Sequence, residues 1–448
     1  MSVYEARRKP ALRGTAGWNA ILPGQPPPVA LSGNVSADFA IIGAGFAGLS
    51  AALRLRQLAP GAKIVVLEAG RIAEGTQGRN SGFMIDLPHE IQGEDYAGAA
   101  LGSDREIIDL NRQAIAFAGQ AVERFAINKA FFDPAGKVNG AVSAKADGLN
   151  HAYARHLSQL GEKSEMLDAK SMHEMTGSRH YISGLYTPGT TMIQPAGYVR
   201  GLTEGLRREG VAIFENAPVV KIESRGASWD VSAQGHRISA GKVILANNGH
   251  LESFGFATQR LMHIFLFASM TVDLGREALQ KLGGQPRWGI TPSDPMGTTM
   301  RKIDTPLGGN RIITRTCAVF SPGMEVSEAS LQRTARTHRK KFDDRFPALA
   351  DVPMEYSWAG HLCLSRNSVS VMRELDRGLF SACVQNGLGT VRGTLTGIGA
   401  AELACGHDSA ITRHFTAEAE PSKLPPPPLS TIGANLYLRW KEHLATND

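Results

Sequence analysis

Three glycines near the start of the chain stand at a spacing that suits phosphate binding. Gly43, Gly45 and Gly48 follow the apolar run Phe39 to Ile42 and open a segment with helical character. In a strand–turn–helix, the first glycine permits a tight turn, the second lets a pyrophosphate approach the backbone, and the third lets the helix pack on the strand. Free N–H groups at the positive end of the helix then face the phosphate oxygens. The pattern therefore indicates a dinucleotide-binding site.

A carboxylate further along the chain supports this interpretation. Glu68 ends the next apolar run, Ile64 to Leu67, and lies roughly 20 residues after the last glycine, where an acidic residue binds ribose hydroxyls in dinucleotide-binding folds. A glycine-rich turn without a ligand is the alternative, because three glycines alone are a weak signal. The order strand, turn, helix, strand and glutamate favours the nucleotide.

Three further features favour FAD over NAD. The motif lies near the N-terminus of a long chain. A glycine-rich loop, Gly75 to Gly82, follows the second strand and carries a guanidinium and an amide. A second glycine-rich turn, Asn386 to Thr390, precedes the last large helix, whose N-terminal N–H groups would face the electron-rich end of an isoalloxazine ring. We therefore expect FAD as the cofactor.

Longer stretches around these motifs resemble a known family. The stretches are IIGAGFAGLSAAL, VVLEAGRIAEGTQGRNSGF, KVILANNGH, EYSWAGHL and NGLGTVRGTLTGIGAAELA. Together they resemble the D-amino-acid-oxidase-type FAD oxidoreductases, which include glycine oxidase and sarcosine oxidase, and most of all the gamma-glutamylputrescine oxidoreductase branch. The resemblance implies a small-molecule amine as substrate and hydride transfer from a C–N bond to flavin N5. It also implies hydrolysis of the imine, and reoxidation by molecular oxygen with peroxide release or by another electron acceptor.

The resemblance also implies which residues would hold FAD. The pyrophosphate would lie on the glycine motif, the ribose on Glu68, and the adenine on the backbone N–H and C=O of Val220. The loop after the second strand would line the flavin, a later segment would pass near the pyrophosphate, and the last glycine turn would cap the ring. The full expected set is Gly43, Gly45, Phe46, Ala47, Gly48, Glu68, Ala69, Gly75, Thr76, Arg79, Asn80, Ser81, Gly82, Val220, Ala246, Asn247, Gly249, Gly387, Leu388, Gly389 and Thr390.

One position departs from the family pattern. Relatives often carry Ser-Gly-His-Gly at the last turn, whereas this chain has Asn386-Gly387-Leu388-Gly389. Any ring contact or proton relay made by that histidine is absent here. The departure bears on the substrate class and leaves a non-catalytic FAD-binding subunit as an alternative.

Four side chains are candidates for contact with the flavin or the substrate. Arg79, in the flavin loop, could stabilise negative charge on the reduced ring, and a loop arginine in a salt bridge is the alternative. Arg301 and Arg315 fall in expected strands of the substrate domain. Either could clamp a substrate carboxylate in a bidentate pair, although arginine is mostly exposed. Trp358 could wall the flavin pocket or could be an ordinary core residue.

Histidine and cysteine residues provide further candidates. His250, His263 and His361 are candidate bases, and each alone is more often structural. No pair shows metal-ligand spacing, so we expect no metal. Cys363 lies near the part of the chain where some relatives attach FAD through a cysteine, but a buried, inert thiol is the favoured interpretation. Covalent and noncovalent FAD both stay open.

The composition of the 448-residue chain excludes several classes of function. The net charge of +6 arises from 48 basic and 42 acidic residues, and no basic cluster is interleaved with aromatic residues, so we expect no nucleic-acid partner. Four scattered cysteines argue against a disulfide framework, so we expect a cytoplasmic protein. The most apolar run, Phe39 to Leu53, is too short to span a bilayer. An oligomer stays open.

The expected fold is α/β, with a Rossmann-like FAD-binding domain and a second, mixed-sheet α+β substrate domain, of the glutathione-reductase and D-amino-acid-oxidase type. Apolar runs without alternation predict buried parallel strands in the first domain. We expect regular structure to begin at Asp38 and both domains to be discontinuous. The expected segments are 1–35 for an N-terminal surface arm, 36–96, 184–252 and 356–415 for the FAD-binding domain, 97–183 and 253–355 for the substrate domain, and 416–448 for a C-terminal linker and tail.

The sequence thus favours an FAD-dependent amine or amino-acid oxidase or dehydrogenase acting on CH–NH or CH–NH2 groups. A flavin-dependent monooxygenase using NAD(P)H is an alternative that also opens with Gly-x-Gly-x-x-Gly. Such enzymes usually show a later Gly-Asp motif, which we do not find near the last glycine turn. The amphipathic tail LYLRWKEHL is expected to pack on its own domain or on a partner rather than on a membrane.

Overall fold

The computed structural model describes residues 2–88, 101–294, 296–426 and 428–445. Its α-helices span both long and short segments. They are α1 (Gly17–Ala20), α2 (Phe46–Leu58), α3 (Leu101–Phe125), α4 (Ala144–Leu160), α5 (Ala169–Thr176), α6 (Pro195–Arg208), α7 (Arg276–Leu282), α8 (Glu328–Arg345), α9 (Val391–Ala404), α10 (Ala410–Ala417) and α11 (Leu429–Leu444).

Within the described residues, the strands form three sheets. They are β1 (Val3–Glu5), β2 (Arg13–Gly14), β3 (Val35–Ile42), β4 (Ile64–Leu67), β5 (Phe83–Met84), β6 (Phe132–Asp133), β7 (Lys137–Ala141), β8 (Glu165–Asp168), β9 (Ser183–Thr187), β10 (Thr191–Ile193), β11 (Ala212–Phe214), β12 (Val219–Arg225), β13 (Ser228–Ala233), β14 (His236–Leu245), β15 (Leu261–Thr271), β16 (Trp288–Pro292), β17 (Thr299–Ile303), β18 (Arg311–Phe320), β19 (Met354–Ser365), β20 (Glu374–Asp376) and β21 (Leu379–Ser381).

The first sheet is built around parallel strands. Its order is β1-β12-β13-β14-β3-β4-β11, with β21 joined to β14 and β20 joined to β21. Strands β3, β4, β11, β14 and β21 pair in parallel, and every residue of β4 is buried, as expected for strands covered on both faces. Helices α2 and α9 pack together, because Gly397 lets the two backbones approach closely at Ala47. This confirms the predicted Rossmann-like half.

The second sheet is mixed. Its order is β2-β19-β15-β18-β17-β16-β7-β9-β8, and its pairs are antiparallel apart from β7 with β16. Helix α8 packs across β15 and β18. A small third sheet has the order β5-β10-β6. The α/β and mixed-sheet architecture agrees with the predicted fold class.

Sheet membership differs from two of the expected segment boundaries. Strand β19 pairs with β15 along its whole length, so residues 356–365 belong to the second sheet although 356–415 was expected in the FAD-binding domain. Strand β9 likewise pairs with β7 and β8, although the expected FAD segment begins at 184. Long-range pairing decides both cases and leaves no local signal. Residues 89–100, which straddle the expected boundary at 96, lie outside the described residues, and the division into two domains stays a prediction.

The N-terminal segment is not a surface arm without regular structure, and the prediction that regular structure begins at Asp38 is wrong. Strand β1 pairs with β12, and β2 pairs with β19. Trp18 on α1 is fully buried, and its indole N–H donates to the carbonyl of Asn80 at 2.8 Å. The segment is fixed by partners more than 60 residues away along the chain, which a search for local periodicity cannot find.

Candidate active site

The glycine motif closes tightly between β3 and α2. Gly43 has φ +108°, and a Cβ there would lie 2.6 Å from the carbonyl oxygen of Ala246. A Cβ on Gly48 would lie 1.8 Å from the carbonyl oxygen of Gly43. Gly45 is the N-cap of α2, and no side chain caps the first turn, whose residues are buried. Buried N–H groups at a helix start need an acceptor, and a phosphate supplies one.

The carboxylate of Glu68 braces this turn. It accepts a hydrogen bond from the N–H of Ala44 at 2.9 Å and another from the N–H of Gly70 at 3.1 Å. Burial raises the pKa of Glu68, and the backbone donors oppose that rise. Each carboxylate oxygen has lone-pair capacity left for a further donor, such as the ribose hydroxyls expected here. Ala69 follows directly and is half-buried.

An unpartnered buried amide lies beside the same turn. The Nε2 of Gln77 is buried and has no hydrogen-bond partner in the protein. The Cβ of Gln77 is 4.0 Å from the position that a Cβ on Gly45 would take. Leaving a buried donor unsatisfied costs about 1–3 kcal/mol, so an acceptor from a bound diphosphate fits this place. The residues present therefore fit FAD, and the Gln77 amide, which was not among the expected cofactor residues, is placed where it could donate to the diphosphate.

The flavin loop and the last glycine turn meet across one cavity of about 710 Å³. The hydroxyl of Thr390 donates to the carbonyl of Phe83 at 2.6 Å, which ties the turn to the loop. Within the loop, the Asn80 side chain accepts from the N–H of Gly82 and donates to the carbonyl of Gln77. The expected cofactor residues that line the cavity are Asn80, Ser81, Gly82, Gly387, Leu388, Gly389 and Thr390. Thr76, which follows Gly75, begins a short 3-10 turn behind them.

Strands of the second sheet supply the opposite wall. Its apolar side chains come from β15, β18 and β19 and are Met262, Ile264, Leu266, Ala318, Phe320, Leu362 and Leu364. Arg315 on β18 is a cation in this wall, and it donates to the hydroxyl of Thr299 at 3.3 Å. Lys145 and Asp294 lie at the cavity as an ion pair of 3.3 Å. The structure thus places Arg315, of the candidate arginines, at the cavity.

The last helix, α11, forms the outer wall. Ala434, Tyr437, Leu438, Trp440 and Lys441 contribute side chains to the lining, as does Leu444. A place in the cavity wall was not among the expectations for this tail. The helix packs against β18 of its own chain, which is one of the two outcomes expected for the tail. Nothing local in the sequence indicates that it returns over the cavity.

Arg79 does not face the cavity, and the structure does not support it as a cation beside the ring. Its guanidinium donates to the backbone carbonyls of Arg13, Gly14, Glu74 and Ala359 at 2.7 to 3.2 Å. Burial lowers its pKa to about 10. The Arg79 side chain therefore connects the N-terminal segment, the loop and β19 through hydrogen bonds. Its partners are carbonyls and not a carboxylate, so the salt-bridge alternative is also not met.

Arg301 lies under the loop rather than in the substrate cavity. Its Nη1 donates to the carbonyls of Gly82 at 2.9 Å and Ile193 at 2.7 Å, and its guanidinium stacks over the rings of Trp18 and Phe83. Burial lowers its pKa to about 9, and its Nε has no hydrogen-bond partner. It does not line the cavity, so the geometry does not support it as a carboxylate clamp.

Two other expected contacts lie elsewhere. Trp358 is fully buried in the core, and its indole N–H donates to the carbonyl of Arg79 at 3.0 Å; it does not line the cavity. The carbonyl of Val220 accepts from the N–H of Ala6 at 2.9 Å, and its side chain is exposed. That carbonyl thus accepts one bond already and has one lone pair left, so its expected contact with adenine stays a prediction. A local reading could not foresee this pairing.

Residues 246–249, which follow β14, contact two different parts of the molecule. The carbonyl of Ala246 lies against Gly43, as expected near the pyrophosphate. Asn247 accepts from the thiol of Cys383 at 3.3 Å. Gly249 instead packs on two histidines, and a Cβ there would lie 2.8 Å from Cε1 of His361 and 2.9 Å from Nδ1 of His263.

The three candidate histidines form one cluster away from the cavity. His263 contacts Nε2 of His361 at 3.1 Å and Glu252 at 2.6 Å, and the ring of His250 lies 5.6 Å from that of His361. Burial lowers the pKa of His250 to about 4 and that of His361 well below its usual value. None of the three lines the cavity, so the structure does not support them as bases there.

Cys363, next to this cluster, is fully buried, and burial raises the pKa of its thiol well above its usual value.

Across the described residues, no group of three or more histidine, cysteine or acidic side chains is arranged to hold a metal ion. In that same part of the chain, no helix combines the length and apolar character needed to cross a membrane.

A parallel sheet with a buried cradle that fits a diphosphate, next to a cavity walled by a second sheet, is the arrangement expected of a flavin-dependent oxidoreductase. The match to the family model of FAD-dependent oxidoreductases, over residues 38–403, agrees with that class. The chain belongs to this family, and its cofactor is FAD.

Individual relatives are distant. The probable oxidoreductase OrdL of Rhizobium meliloti is 24% identical over 90% of this chain and 91% of its own length. The gamma-glutamylputrescine oxidoreductase of Escherichia coli is 24% identical over 91% of this chain and 93% of its own. The crystal structure of glycine oxidase from Geobacillus kaustophilus superposes with a TM-score of 0.70 at 17% identity, covering 88% of this chain and all of that one. The last likeness shows the shared fold.

Proposed function

We propose that the chain oxidises the C–N bond of a small amine or amino acid. When bound, FAD would supply the two-electron acceptor for a hydride from the carbon beside nitrogen. The imine would hydrolyse in water, and oxygen would take up the two electrons to give peroxide. The observation that carries the proposal is the cavity of about 710 Å³. One side is the loop and turn expected to hold the ring, and the other is an apolar wall with Arg315.

Charge in the cavity favours a substrate with an acidic group. Arg315, Lys145 and Lys441 line it. Asp294 is the one carboxylate among the described lining residues, and it already pairs with Lys145. A guanidinium in a largely apolar wall binds a carboxylate strongly because water competes little there. Arg315 would hold the substrate carboxylate and so orient the C–H bond of the amine toward the ring.

The start of α9 provides the charge stabilisation expected at the ring. Thr390 is its N-cap, with no side-chain cap, and Val391, Gly393 and Thr394 in the first turn are buried. N–H groups at a helix start favour a nearby negative charge. Gly389 and Thr390 both line the cavity, so their backbone would meet the electron-rich end of the flavin.

The cavity supports oxidation without a dedicated base. Among its described lining residues there is no histidine, and the titratable side chains are Lys145, Asp294, Arg315, Tyr437 and Lys441. Hydride transfer from a neutral amine needs no proton abstraction by the protein, so positioning suffices. The missing histidine at the last turn is compatible with this route.

The relatives support the substrate class, since one is named for a glutamylated amine and another for an amino acid. All four cysteines are free thiols, in keeping with our proposal of a cytoplasmic enzyme. The segment assignment to an FAD-binding and a substrate domain is part of the same proposal, with the cavity between the two large sheets.

The test is an anaerobic panel of amines and amino acids added to the purified FAD-loaded chain, with the visible spectrum as readout. Bleaching by an amine without NAD(P)H, followed by peroxide on admitting air, is expected. A requirement for NADPH would favour the monooxygenase alternative, and no bleaching with any amine would favour a non-catalytic subunit.

The same panel tests the acidic group. Arg315→Gln should raise KM for a carboxylate-bearing amine about 10- to 100-fold, as expected for loss of a charge-assisted bond. The corresponding amine without a carboxylate should be oxidised equally by the two proteins. An equal rise in KM for both amines would show that Arg315 does not bind the substrate carboxylate. The proposed amine oxidation would not be affected by that result.

A further inference from the structure

The outer side of α11 is a continuous apolar surface. Among the described residues, twelve large apolar side chains are exposed, and six of them lie on this helix. Each of the six is more than half exposed, and no residue of the helix is buried. They are Leu429, Ile432, Leu436, Tyr437, Trp440 and Leu444. At 100° per residue they fill an arc of about 140°, which we call the apolar face.

The opposite side of α11 is fixed to the protein, so the apolar face must point outward. The Asn435 amide accepts from the N–H of Phe320 and donates to its carbonyl, both at 3.0 Å. The Glu442 carboxylate accepts from the N–H of Ala318 at 2.6 Å. These bonds cover the edge of β18 beyond the end of β17, as a strand edge requires. The helix is therefore held by polar contacts along one line.

Cations surround the apolar face. Arg439 and Lys441 flank it on the two sides of the helix. Arg333, on α8, lines the groove between the two helices. Arg7 and Arg8 lie beside the start of the helix, in a hollow that also contacts Ser430. The carboxylate of the helix, Glu442, is engaged with β18. An exposed apolar stripe bordered by arginine and lysine matches a helix that lies in a membrane interface.

We propose that the apolar face of α11 docks on an anionic lipid surface, with the helix lying in the plane of the interface. Its apolar side chains enter the boundary between headgroups and acyl chains, and the surrounding cations contact the anionic headgroups. At 16 residues the helix is too short to span a bilayer, so the attachment is peripheral.

A lipid surface suits the dimensions of this face better than a second copy of the chain. A helix of this length is about 24 Å long and ~10 Å wide. The area it can cover is therefore much smaller than the surface of about 800 Å² that a stable protein interface buries on each partner. The face is thus a narrow strip and not a broad patch. A bilayer interface accepts such a strip because it requires no complementary shape.

Docking would also place the cavity rim against the lipid. Tyr437, Trp440 and Leu444 are exposed on the apolar face and also line the cavity. The same helix therefore separates the cavity from the outside and contacts the membrane. Apolar molecules dissolved in the lipid would then lie close to the cavity rim.

Vesicle binding by the full-length, FAD-loaded protein tests this proposal. Phosphatidylcholine vesicles containing phosphatidylglycerol are compared with vesicles of phosphatidylcholine alone in a flotation assay. Trp440 provides a second readout, because the other four tryptophans are buried and its emission should shift to shorter wavelength on insertion. We expect binding to the anionic vesicles, and weaker binding at high salt.

The matched variants separate this surface from the active site. The double variant Ile432→Ser/Leu436→Ser removes two side chains of the apolar face that do not line the cavity, and it should bind anionic vesicles at least tenfold more weakly. The control, Ile182→Ser, changes an exposed apolar residue elsewhere and should bind like the parent. Both variants should keep the parent's FAD content.

Three outcomes would overturn the proposal. One is parent protein that does not float with the anionic vesicles. Another is concentration-dependent dimerisation in sedimentation velocity that the double variant abolishes, since the apolar face would then be covered by a second copy. Equal flotation of parent and double variant would likewise show that another surface holds the lipid.

Discussion

The diphosphate cradle and the substrate cavity are built in opposite ways. The glycines of the cradle and Glu68 come from one contiguous stretch, β3 to Glu68, where an added Cβ would lie 2.6 Å from the carbonyl oxygen of Ala246 at Gly43 and 1.8 Å from that of Gly43 at Gly48. The cavity wall is assembled from β15, β18, β19, the last glycine turn and α11, with mostly apolar side chains. A tight backbone contact allows only glycine at a given position, so it can be recognised in the local sequence. An apolar wall can be built from many alternative residues. The cradle is therefore the rigid half of the site and the wall the adjustable half.

The largest effect should follow from a methyl group in the cradle. Gly48→Ala would place a Cβ 1.8 Å from the carbonyl oxygen of Gly43, so β3, the turn and α2 must separate. We expect FAD affinity to fall at least 100-fold, which corresponds to roughly 3 kcal/mol. The measurement is bound FAD per chain, from the visible spectrum, together with an FAD titration of the apoprotein.

Gly61→Ala provides the matched control, since nothing lies within 4 Å of its added Cβ. It should retain FAD like the parent. Circular dichroism distinguishes a folded apoprotein from an unfolded chain. A folded Gly48→Ala protein with full FAD content would show that the turn can adjust and that the cradle is not the rigid half.

A smaller loss of FAD affinity is expected from a change at Arg301, which lies under the flavin loop. Arg301→Gln removes the donor that holds the carbonyls of Gly82 and Ile193. Buried hydrogen bonds from a charged group contribute about 1.5–3 kcal/mol each. We expect FAD to bind about tenfold more weakly, measured by the same titration. Arg301→Lys should restore part of the affinity for FAD, because an ammonium can still reach one carbonyl. Unchanged FAD affinity in both variants would show that the loop does not need Arg301 to bind FAD.

The wall should respond differently. Leu438→Ala shortens a side chain that lines the cavity from α11. Loss of apolar contact of about 1 kcal/mol should raise KM roughly fivefold for whichever amine bleaches the flavin. FAD content should not change, because α11 does not contribute to the cradle. A parallel loss of FAD would show that the two halves are coupled.

The same contrast explains what the sequence could predict. Gly43, Gly45, Gly48 and Glu68 were identified because spacing and element order carry the signal. The parallel core was identified because β4 is apolar at every position. The loop and the last turn were identified as glycine-rich segments, but the contacts of their residues with the flavin were inferred from family resemblance, since Asn80 or Gly389 alone carries no chemistry that composition reveals.

The remaining features depend on contacts between distant segments. Arg79 sits in the expected loop, yet its guanidinium turns toward carbonyls of residues 13, 14 and 359. Val220 is engaged by Ala6, and α11 returns over the cavity from the end of the chain. Each outcome is decided by the tertiary placement of a partner more than 60 residues away, and a periodicity search records none of them.

The smallest effect concerns a buried lysine behind the wall. Lys137 donates to Asn139 and, at 3.2 Å, to Thr291, which lines the cavity. Burial lowers its pKa from 10.5 to about 8. Between these values the unfolded chain binds more protons than the folded one, so the free energy of unfolding should rise with pH across that window. Below pH 8 both states are protonated, and the folded state carries the full cost of a buried charge.

Lys137→Met should therefore raise the free energy of unfolding at pH 7 by about 1 kcal/mol, because relief of the buried charge outweighs two lost hydrogen bonds. It should also flatten the rise between pH 8 and 10.5. Urea titrations at several pH values measure both effects, and FAD content and KM should stay the same. A steeper rise in the variant would mean that another group titrates in this window. A change in KM would mean that the wall depends on its second layer, so that the adjustable half of the site extends behind the residues that line it.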